Sequence, residues 1–389
     1  MTAPPEPSGV HVPQKYDRSV MFLVNSLTMG GSERKTVRLA NALAAGEHQV
    51  VLAYLGSPET LLSDVHPAVA AVNLHRHGKF SMRSLRRLAT VVRERNVATL
   101  VAMNLYPALY AVTAAWLCRN LPVRVAASVN TTEFATRKEQ LQMLLYRHVL
   151  RRADVVVFGA ECQRRLWCSR YGLDASSHKA TVLYNGVDTS EFARARVAPA
   201  ALGQPAGRVM LGTVGALRVE KAQVDLVRAV HELTARGVDV GAVIVGDGPA
   251  RGQIEREIQR LGVAGRVHLA GSAQDVRPYL AAVDIFVLPS VAVETFSNAA
   301  LEAMAMSCPV VAARVGGMEE MLQFGGGMTY PPGEVKSLCE LLMPLAANRD
   351  ARRELGERAR QAAERHFSFR RMVSDFEERV LHAQPGPRL

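Results

Sequence analysis

Short apolar runs alternate with amphipathic stretches along most of the chain. Ser19–Leu27 is almost wholly apolar, and the segment after Met29-Gly-Gly-Ser-Glu33 carries apolar residues at helical spacing through Leu43. Gln49–Leu55, Leu100–Met103, Val123–Ser128 and Val155–Gly159 are further apolar runs, each separated by helical sequence. The pattern then restarts. Strands are predicted at Val209–Gly215, Ala242–Gly246, Val267–Leu269, Ile285–Leu288 and Val310–Ala312. Helices are predicted over Gln223–Arg236, Pro249–Leu261 and Asn298–Met306. Continuous apolar runs, as opposed to strict alternation, belong to parallel strands buried on both faces. Strands alternating with helices imply an α/β fold with doubly wound sheets. The expectation is two Rossmann-like domains facing across a cleft. Ligands in such sheets bind beyond the carboxyl ends of the strands, which puts the loops after Leu27, Gly215, Gly246 and Leu288 around one cavity.

Asn185-Gly186 is a turn dipeptide, and the Ala/Pro-rich stretch to Gly207 has linker composition. The boundary is therefore placed after residue 184. This gives a disordered lead-in over 1–18, an N-terminal domain over 19–184 and a C-terminal domain over 185–368. A charged helix over 369–389 is expected to pack back toward the N-terminal domain. The lead-in is Pro-rich and lacks the apolar core of a signal peptide, so a cytoplasmic location is expected. Thr99–Cys118 is apolar enough to suggest a membrane span, but Asn104 and Pro107 interrupt it. It divides better into a strand, a loop and a helix starting at Pro107.

Composition narrows the class. The chain has 389 residues, 48% apolar and 21% charged, as expected for a soluble two-domain protein. Its five cysteines show no Cys-x-x-Cys spacing and read as buried free thiols. Net charge is +11, unevenly spread. Ser81–Arg95 holds Arg83, Arg86, Arg87, Arg93 and Arg95 against Glu94. Arg137–Arg152 holds Arg137, Lys138, Arg147, Arg151 and Arg152 against Glu139, with Leu141, Leu144, Leu145, Tyr146 and Val149 between. Each is either a solvated arginine face over a core-facing stripe or a helix that docks on an anionic membrane surface. Only 6% of residues are aromatic and no basic motif is interleaved with aromatics, which disfavours nucleic acid as a partner. His75-Arg76-His77 has no third ligand in view and reads as a surface loop, not a metal site.

The strongest chemical signal is Glu294-Thr-Phe-Ser-Asn-Ala-Ala-Leu-Glu302. It follows a predicted strand and opens a helix at Ser297 or Asn298, both good N-caps. A helix N-terminus offers free N–H groups and positive potential to a diphosphate. A carboxylate on each side of that mouth can accept hydrogen bonds from sugar hydroxyls. The structural alternative is a surface glutamate and a helix-dipole partner.

This segment, followed by Cys308-Pro-Val-Val and Gly316-Gly317, resembles the donor-site signature of the retaining GT-B glycosyltransferases of family GT4. Gly30-Gly-Ser-Glu33, Tyr184-Asn-Gly-Val-Asp188, Gly215-Ala-Leu-Arg-Val-Glu-Lys221 and Val245-Gly-Asp-Gly-Pro249 resemble other family motifs in the expected order. The resemblance spans about Met21 to Arg371. It implies that Glu302 binds the nucleotide ribose and Glu294 the donor hexose. It implies that Phe296, Ser297 and Asn298 present backbone amides, and that Lys221 neutralises the departing diphosphate. Gly30 and Gly31 would allow the phosphates to approach the backbone. Two positions depart from the family: Ala216 stands where an arginine is usual, with Arg218 a candidate substitute, and Ala222 stands where a glycine is usual. The histidine that many members place beside the reacting sugar has no clear counterpart. Asn130, in Ser128-Val-Asn-Thr-Thr132, is the nearest polar candidate. No Asp-x-Asp occurs, so a metal-independent site is expected.

The implied activity is retaining transfer of a hexose-type sugar from a nucleotide sugar, with UDP favoured over GDP. The acceptor is a saccharide or lipid-linked saccharide, as in lipopolysaccharide or exopolysaccharide synthesis, with the enzyme peripheral on the inner membrane face. No cofactor beyond the co-substrate is implied. The rival readings are an epimerase or phosphorylase on the same fold and a non-catalytic nucleotide-binding homologue.

Overall fold

The structure, a computed structural model, describes residues 19–28, 30–130, 137–176, 179–292 and 294–382, with the side chains of 137–140 outside the description. The lead-in over 1–18, Thr131, Thr132, and the side chains of Arg137, Lys138 and Glu139 therefore lie outside the described residues. The chain divides into two compact units. Among the described residues, unit 1 falls within 1–128, 148–156 and 380–389, and unit 2 within 129–147 and 157–379.

The first half alternates β1 (Ser19–Val24), α1 (Gly31–Ala45), β2 (Gln49–Tyr54), β3 (Ala70–Asn73), α2 (Met82–Glu94), β4 (Thr99–Met103), α3 (Leu105–Leu117) and β5 (Arg124–Val129). Then come α4 (Arg137–Arg152), β6 (Val155–Phe158), α5 (Glu161–Tyr171) and β7 (Ala180–Val182). The sheet order is β3-β2-β1-β4-β5-β6-β7. β1, β4 and β6 are buried along their whole length, as their unbroken apolar sequence predicts.

The second half runs β8 (Val209–Val214), α6 (Gln223–Ala235), β9 (Val240–Val245), α7 (Arg251–Leu261), β10 (Val267–Gly271), α8 (Arg277–Ala281) and β11 (Ile285–Leu288). It ends with α9 (Asn298–Ala305), β12 (Val310–Ala313), α10 (Met318–Leu322), β13 (Gly327–Tyr330), α11 (Val335–Ala347), α12 (Arg349–His366) and α13 (Phe369–Phe376). Its sheet order is β10-β9-β8-β11-β12-β13, the doubly wound order, with all registered pairs parallel. Strand order reverses between β8 and β11. The crevice beyond their carboxyl ends is where this topology binds ligands.

Several expectations need correction. The helix expected from Pro107 begins at Leu105, because Asn104 takes the N-cap position at φ +81°, and Ala108 N–H donates to its carbonyl. Gly186 is not at a positive-φ turn. A Cβ there would stand 2.8 Å from Phe369 Cα and 2.9 Å from the Ser368 carbonyl, so close backbone packing requires the glycine. The stretch with linker composition is packed into unit 2. Phe192 is buried there, and Arg194 donates to the carbonyls of Ala281 and Val283, both at 2.8 Å. The C-terminal segment is helical from Phe369 to Leu381, with α13 passing directly into a π-helical turn over Glu377–Leu381, and 383–389 lie outside the described residues. Within unit 1, Arg124 donates to the Leu381 carbonyl at 2.6 Å.

The two basic helices differ. In α2 the apolar stripe Leu85, Leu88, Ala89 and Val92 is buried and the arginines are exposed. In α4, Met143, Val149 and Leu150 are buried, while Leu141, Leu144 and Leu145 are 66%, 52% and 56% exposed. All five cysteines are free and four are buried. Burial pushes the thiols of Cys308 and Cys339 up to about 12. No described helix is long and apolar enough to cross a membrane.

Candidate active site

The two loops at the strand-order reversal of unit 2 hold the groups singled out in the sequence. After β8 the chain passes through Gly215–Ala222, closing in a one-turn helix over Val219–Lys221. After β11 it runs through Pro289–Ser297 into α9. Lys221 Nζ donates to Glu294 Oε2 in an ion pair that joins the two loops. Ser290 Oγ donates to the same oxygen at 3.3 Å, and Val291 N–H to the Glu220 carbonyl at 2.9 Å. Glu294 is only 6% exposed. A carboxylate this buried is costly unless paired and hydrogen-bonded, and Lys221 and Ser290 supply both.

Ser297 is the N-cap of α9, its Oγ accepting from Ala300 N–H at 3.3 Å. The N–H groups of Phe296, Ser297 and Asn298 have no hydrogen-bond partner among the described residues. They are the orphan donors of a helix N-terminus, beside the Lys221–Glu294 pair. Glu302 sits half-buried on the second turn of α9. The Phe296 side chain is buried and stacks on Tyr184 with ring centroids 5.0 Å apart. Only its backbone is free to meet a ligand. Asn185 Nδ2 donates to the Phe296 carbonyl at 2.8 Å, which fixes the orientation of that backbone.

Gly316 and Gly317 explain how the β12–α10 loop closes on this segment. Gly316 has φ +58°, and a Cβ there would lie 1.5 Å from the Glu294 carbonyl oxygen. Gly317 N–H donates to the Thr295 carbonyl at 2.9 Å. Glu320, on α10, accepts from the N–H groups of Glu161 (2.9 Å) and Cys162 (3.2 Å) at the start of α5 and from the Tyr184 hydroxyl. Burial and the Glu320 carboxylate push the Tyr184 phenol well above its ordinary value, so it stays a neutral donor. Glu320 and Tyr184 thus brace the loop through Phe296. Sequence reading assigned neither a role, because their partners lie far away along the chain. Ser290 was missed too, although a serine two residues past a wholly apolar strand was a usable signal.

The remaining candidates spread out. Arg218 is 62% exposed and 3.9 Å from Glu220. Ala222 adopts the left-handed conformation, φ +47° and ψ 36°, where the family's glycine would be unstrained. Gln223 Nε2 donates to the Ala216 carbonyl at 3.0 Å. The Asn130 carbonyl accepts from Thr295 Oγ1 at 3.3 Å, so the segment holding Asn130 reaches the Glu294 loop through its backbone. Gly30 and Gly31 begin α1 in unit 1. A Cβ at Gly30 would stand 2.2 Å from Glu33 Oε2, so the Glu33 carboxylate fills the space over that glycine. Burial raises the pKa of Glu33.

Two family models match the chain. One described as Glycosyl transferases group 1 covers 208–348, and one described as Glycosyltransferase Family 4 covers 29–191. A lipopolysaccharide core biosynthesis glycosyltransferase of Rhizobium meliloti is 32% identical over 48% of this chain and 53% of its own length. The N-acetyl-alpha-D-glucosaminyl L-malate synthase of Bacillus anthracis is 32% identical over 41% of this chain and 42% of its own. The chain thus spans about half the length, or less, of these curated relatives. Among solved structures, Anabaena HepE in complex with UDP aligns over 92% of this chain and 98% of its own, with a TM-score of 0.80 at 20% identity. WaaG, a glycosyltransferase involved in lipopolysaccharide biosynthesis, aligns over 93% and 99%, with a TM-score of 0.69 at 17% identity. With doubly wound sheets, the motif order and both halves matched, the chain belongs to the group 1, family 4 glycosyltransferases of GT-B fold.

Proposed function

We propose that this protein transfers a hexose-type sugar from a nucleoside-diphosphate sugar to a saccharide or lipid-linked saccharide acceptor in cell-surface glycan synthesis. The observation that carries this is the convergence of Lys221, Glu294 and the free N–H groups of residues 296–298 at the strand-order reversal of unit 2. A diphosphate there receives the helix N-terminus and the Lys221 ammonium, and competes with Glu294 for the latter. Released from Lys221, the Glu294 carboxylate is the acceptor for hexose hydroxyls. Glu302, one turn further along α9, takes the ribose hydroxyls. A uridine nucleotide is favoured: HepE is solved with UDP and with UDP-glucose, and this chain shares its fold.

Positive charge from Lys221 and the helix amides stabilises the leaving diphosphate as the anomeric bond breaks, without a metal in the account. The departing phosphate oxygen then takes the acceptor's proton on the same face of the sugar, so configuration is retained. Asn130 is the N-terminal-half residue assigned to the reacting sugar. The exposed leucines of α4, followed by Arg147, Arg151 and Arg152, suit an anionic membrane surface on the cytoplasmic side. A screen of nucleotide sugars with a saccharide acceptor tests the reading. Product with retained anomeric configuration, abolished in Lys221→Ala, is expected. Inverted product refutes the same-face route, and isomerised donor without acceptor refutes transfer altogether.

A further inference from the structure

The segment joining β3 to α2 has a chemistry that the donor reading leaves unused. Leu74, His75, His77, Arg83 and Arg87 line a cavity of about 200 Å³ in unit 1. β3 ends at Asn73, so the segment lies beyond the carboxyl end of a parallel strand, the side on which doubly wound sheets bind ligands. No acid lines the cavity, and none of its four basic side chains has an ion pair among the described residues. Arg83 and Arg87 stand four apart on α2, a spacing at which like charges repel by about 0.2–0.5 kcal/mol. Arg86, between them, does not line the cavity.

The segment is held in place. Asn73 Oδ1 accepts from His75 N–H at 2.7 Å, and His75 itself has φ +49°. Arg76 N–H donates to the Leu55 carbonyl at 2.7 Å, and its guanidinium lies 5.1 Å from the Tyr106 ring centroid. The Tyr106 hydroxyl donates to the Lys79 carbonyl, and Tyr110 Oη accepts from Ser81 N–H at 2.8 Å. A left-handed histidine costs about 1 kcal/mol and persists where the surroundings fix it. The result is two guanidinium forks and two imidazoles gathered around one small space with no counter-charge. Guanidinium forks match phosphate oxygens in a bidentate manner. The volume is below the roughly 300 Å³ at which clefts for whole small molecules begin, so the cavity suits one charged group.

We propose that this cavity binds a phosphate ester carried by the acceptor, so that the protein glycosylates phosphorylated acceptors. The assignment of an acceptor rests on the glycosyl-transfer reading; the anion site itself does not. The test is a titration of the whole protein with inorganic phosphate, read at the His75 and His77 imidazole signals by NMR. UDP is kept saturating so that the diphosphate region of unit 2 is occupied. Saturable shifts are expected in wild type and in Arg86→Gln, with affinity at least about tenfold weaker in the Arg83→Gln, Arg87→Gln double variant.

A second arm uses phosphatidylcholine vesicles with and without phosphatidate. Co-sedimentation that needs phosphatidate, is displaced by free phosphate and is lost in the double variant puts the ester on a lipid. Saturation by free phosphate without co-sedimentation puts it on a soluble acceptor. Unchanged binding in the double variant, equal loss in Arg86→Gln, or no saturable shift in wild type overturns the proposal. UDP binding is the separate readout and is retained in the double variant. If wild type binds no UDP, the donor reading fails, and the phosphate titration without UDP still decides the cavity.

Discussion

The loops at the β8/β11 reversal and the segment between β3 and α2 both gather charge at the carboxyl ends of parallel strands, in opposite styles. In unit 2 the charges are paired and at least partly buried: Lys221 with the buried Glu294, Tyr184 and two backbone N–H groups with Glu320. In unit 1 the guanidinium groups of Arg83 and Arg87 are exposed and of one sign, and they share their cavity with His75 and His77 and with no acid. Pairing and burial fix geometry before a ligand arrives, which suits a leaving group that must be met at a defined position. Exposed like charges fix little, and suit recognition of a charged group by attraction.

Four changes test that contrast. The largest effect is expected from Lys221→Ala, which removes the cation paired with Glu294 and proposed to neutralise the leaving diphosphate. Turnover should fall by about 10²-fold or more, as when a transition-state charge loses a preorganised partner. Thermal unfolding should move far less, and a collapse of stability with turnover would instead make Lys221 structural.

Gly316→Ala comes next. Its Cβ would sit 1.5 Å from the Glu294 carbonyl at φ +58°, and a loss of about 2–4 kcal/mol in unfolding free energy is expected. A silent substitution would show that the β12–α10 loop does not close on Glu294.

The third change concerns pairing away from the site. Hydrogen bonds from Arg260 and then Arg228 pull Glu257 from its ordinary 4.5 to about 2. A depressed carboxylate stabilises fully above its unfolded pKa, and that contribution is lost as pH falls through the folded one. The wild type should therefore lose about 1 kcal/mol relative to Glu257→Gln between about pH 4.5 and pH 2. Parallel stability curves for the two proteins over that window would contradict the pairing.

The smallest effect is a gain. Ala222→Gly relieves a left-handed alanine and should stabilise by about 0.5–1 kcal/mol in chemical denaturation. A loss would mean that the extra backbone freedom of glycine outweighs the relief.

How far the sequence was legible follows from the range of the forces. β1, β4, β8 and β11 stood out because strands buried on both faces must be continuously apolar. β3, β7 and β13 escaped, being short strands at sheet edges with mixed sequences such as Ala-Ala-Val-Asn. Ser297 as N-cap was readable because capping is local. Glu294 and Lys221 were readable as separate motifs, and their contact needed the sheet order that sets β8 beside β11. The Glu320 brace was not readable at all. Its partners lie 136 and 159 residues away, and nothing in Gly-Gly-Met-Glu-Glu distinguishes Glu320 from Glu319.

Calorimetric titration with UDP, GDP and ADP decides whether unit 2 binds the nucleotide of a sugar donor at the mouth of α9. Wild type should bind UDP most tightly, and Glu302→Ala should weaken it by about tenfold or more, the loss expected on removing the carboxylate proposed to hold the ribose hydroxyls. Binding of UDP by Glu302→Ala as tightly as by wild type, or no binding of any of the three by wild type, would contradict it.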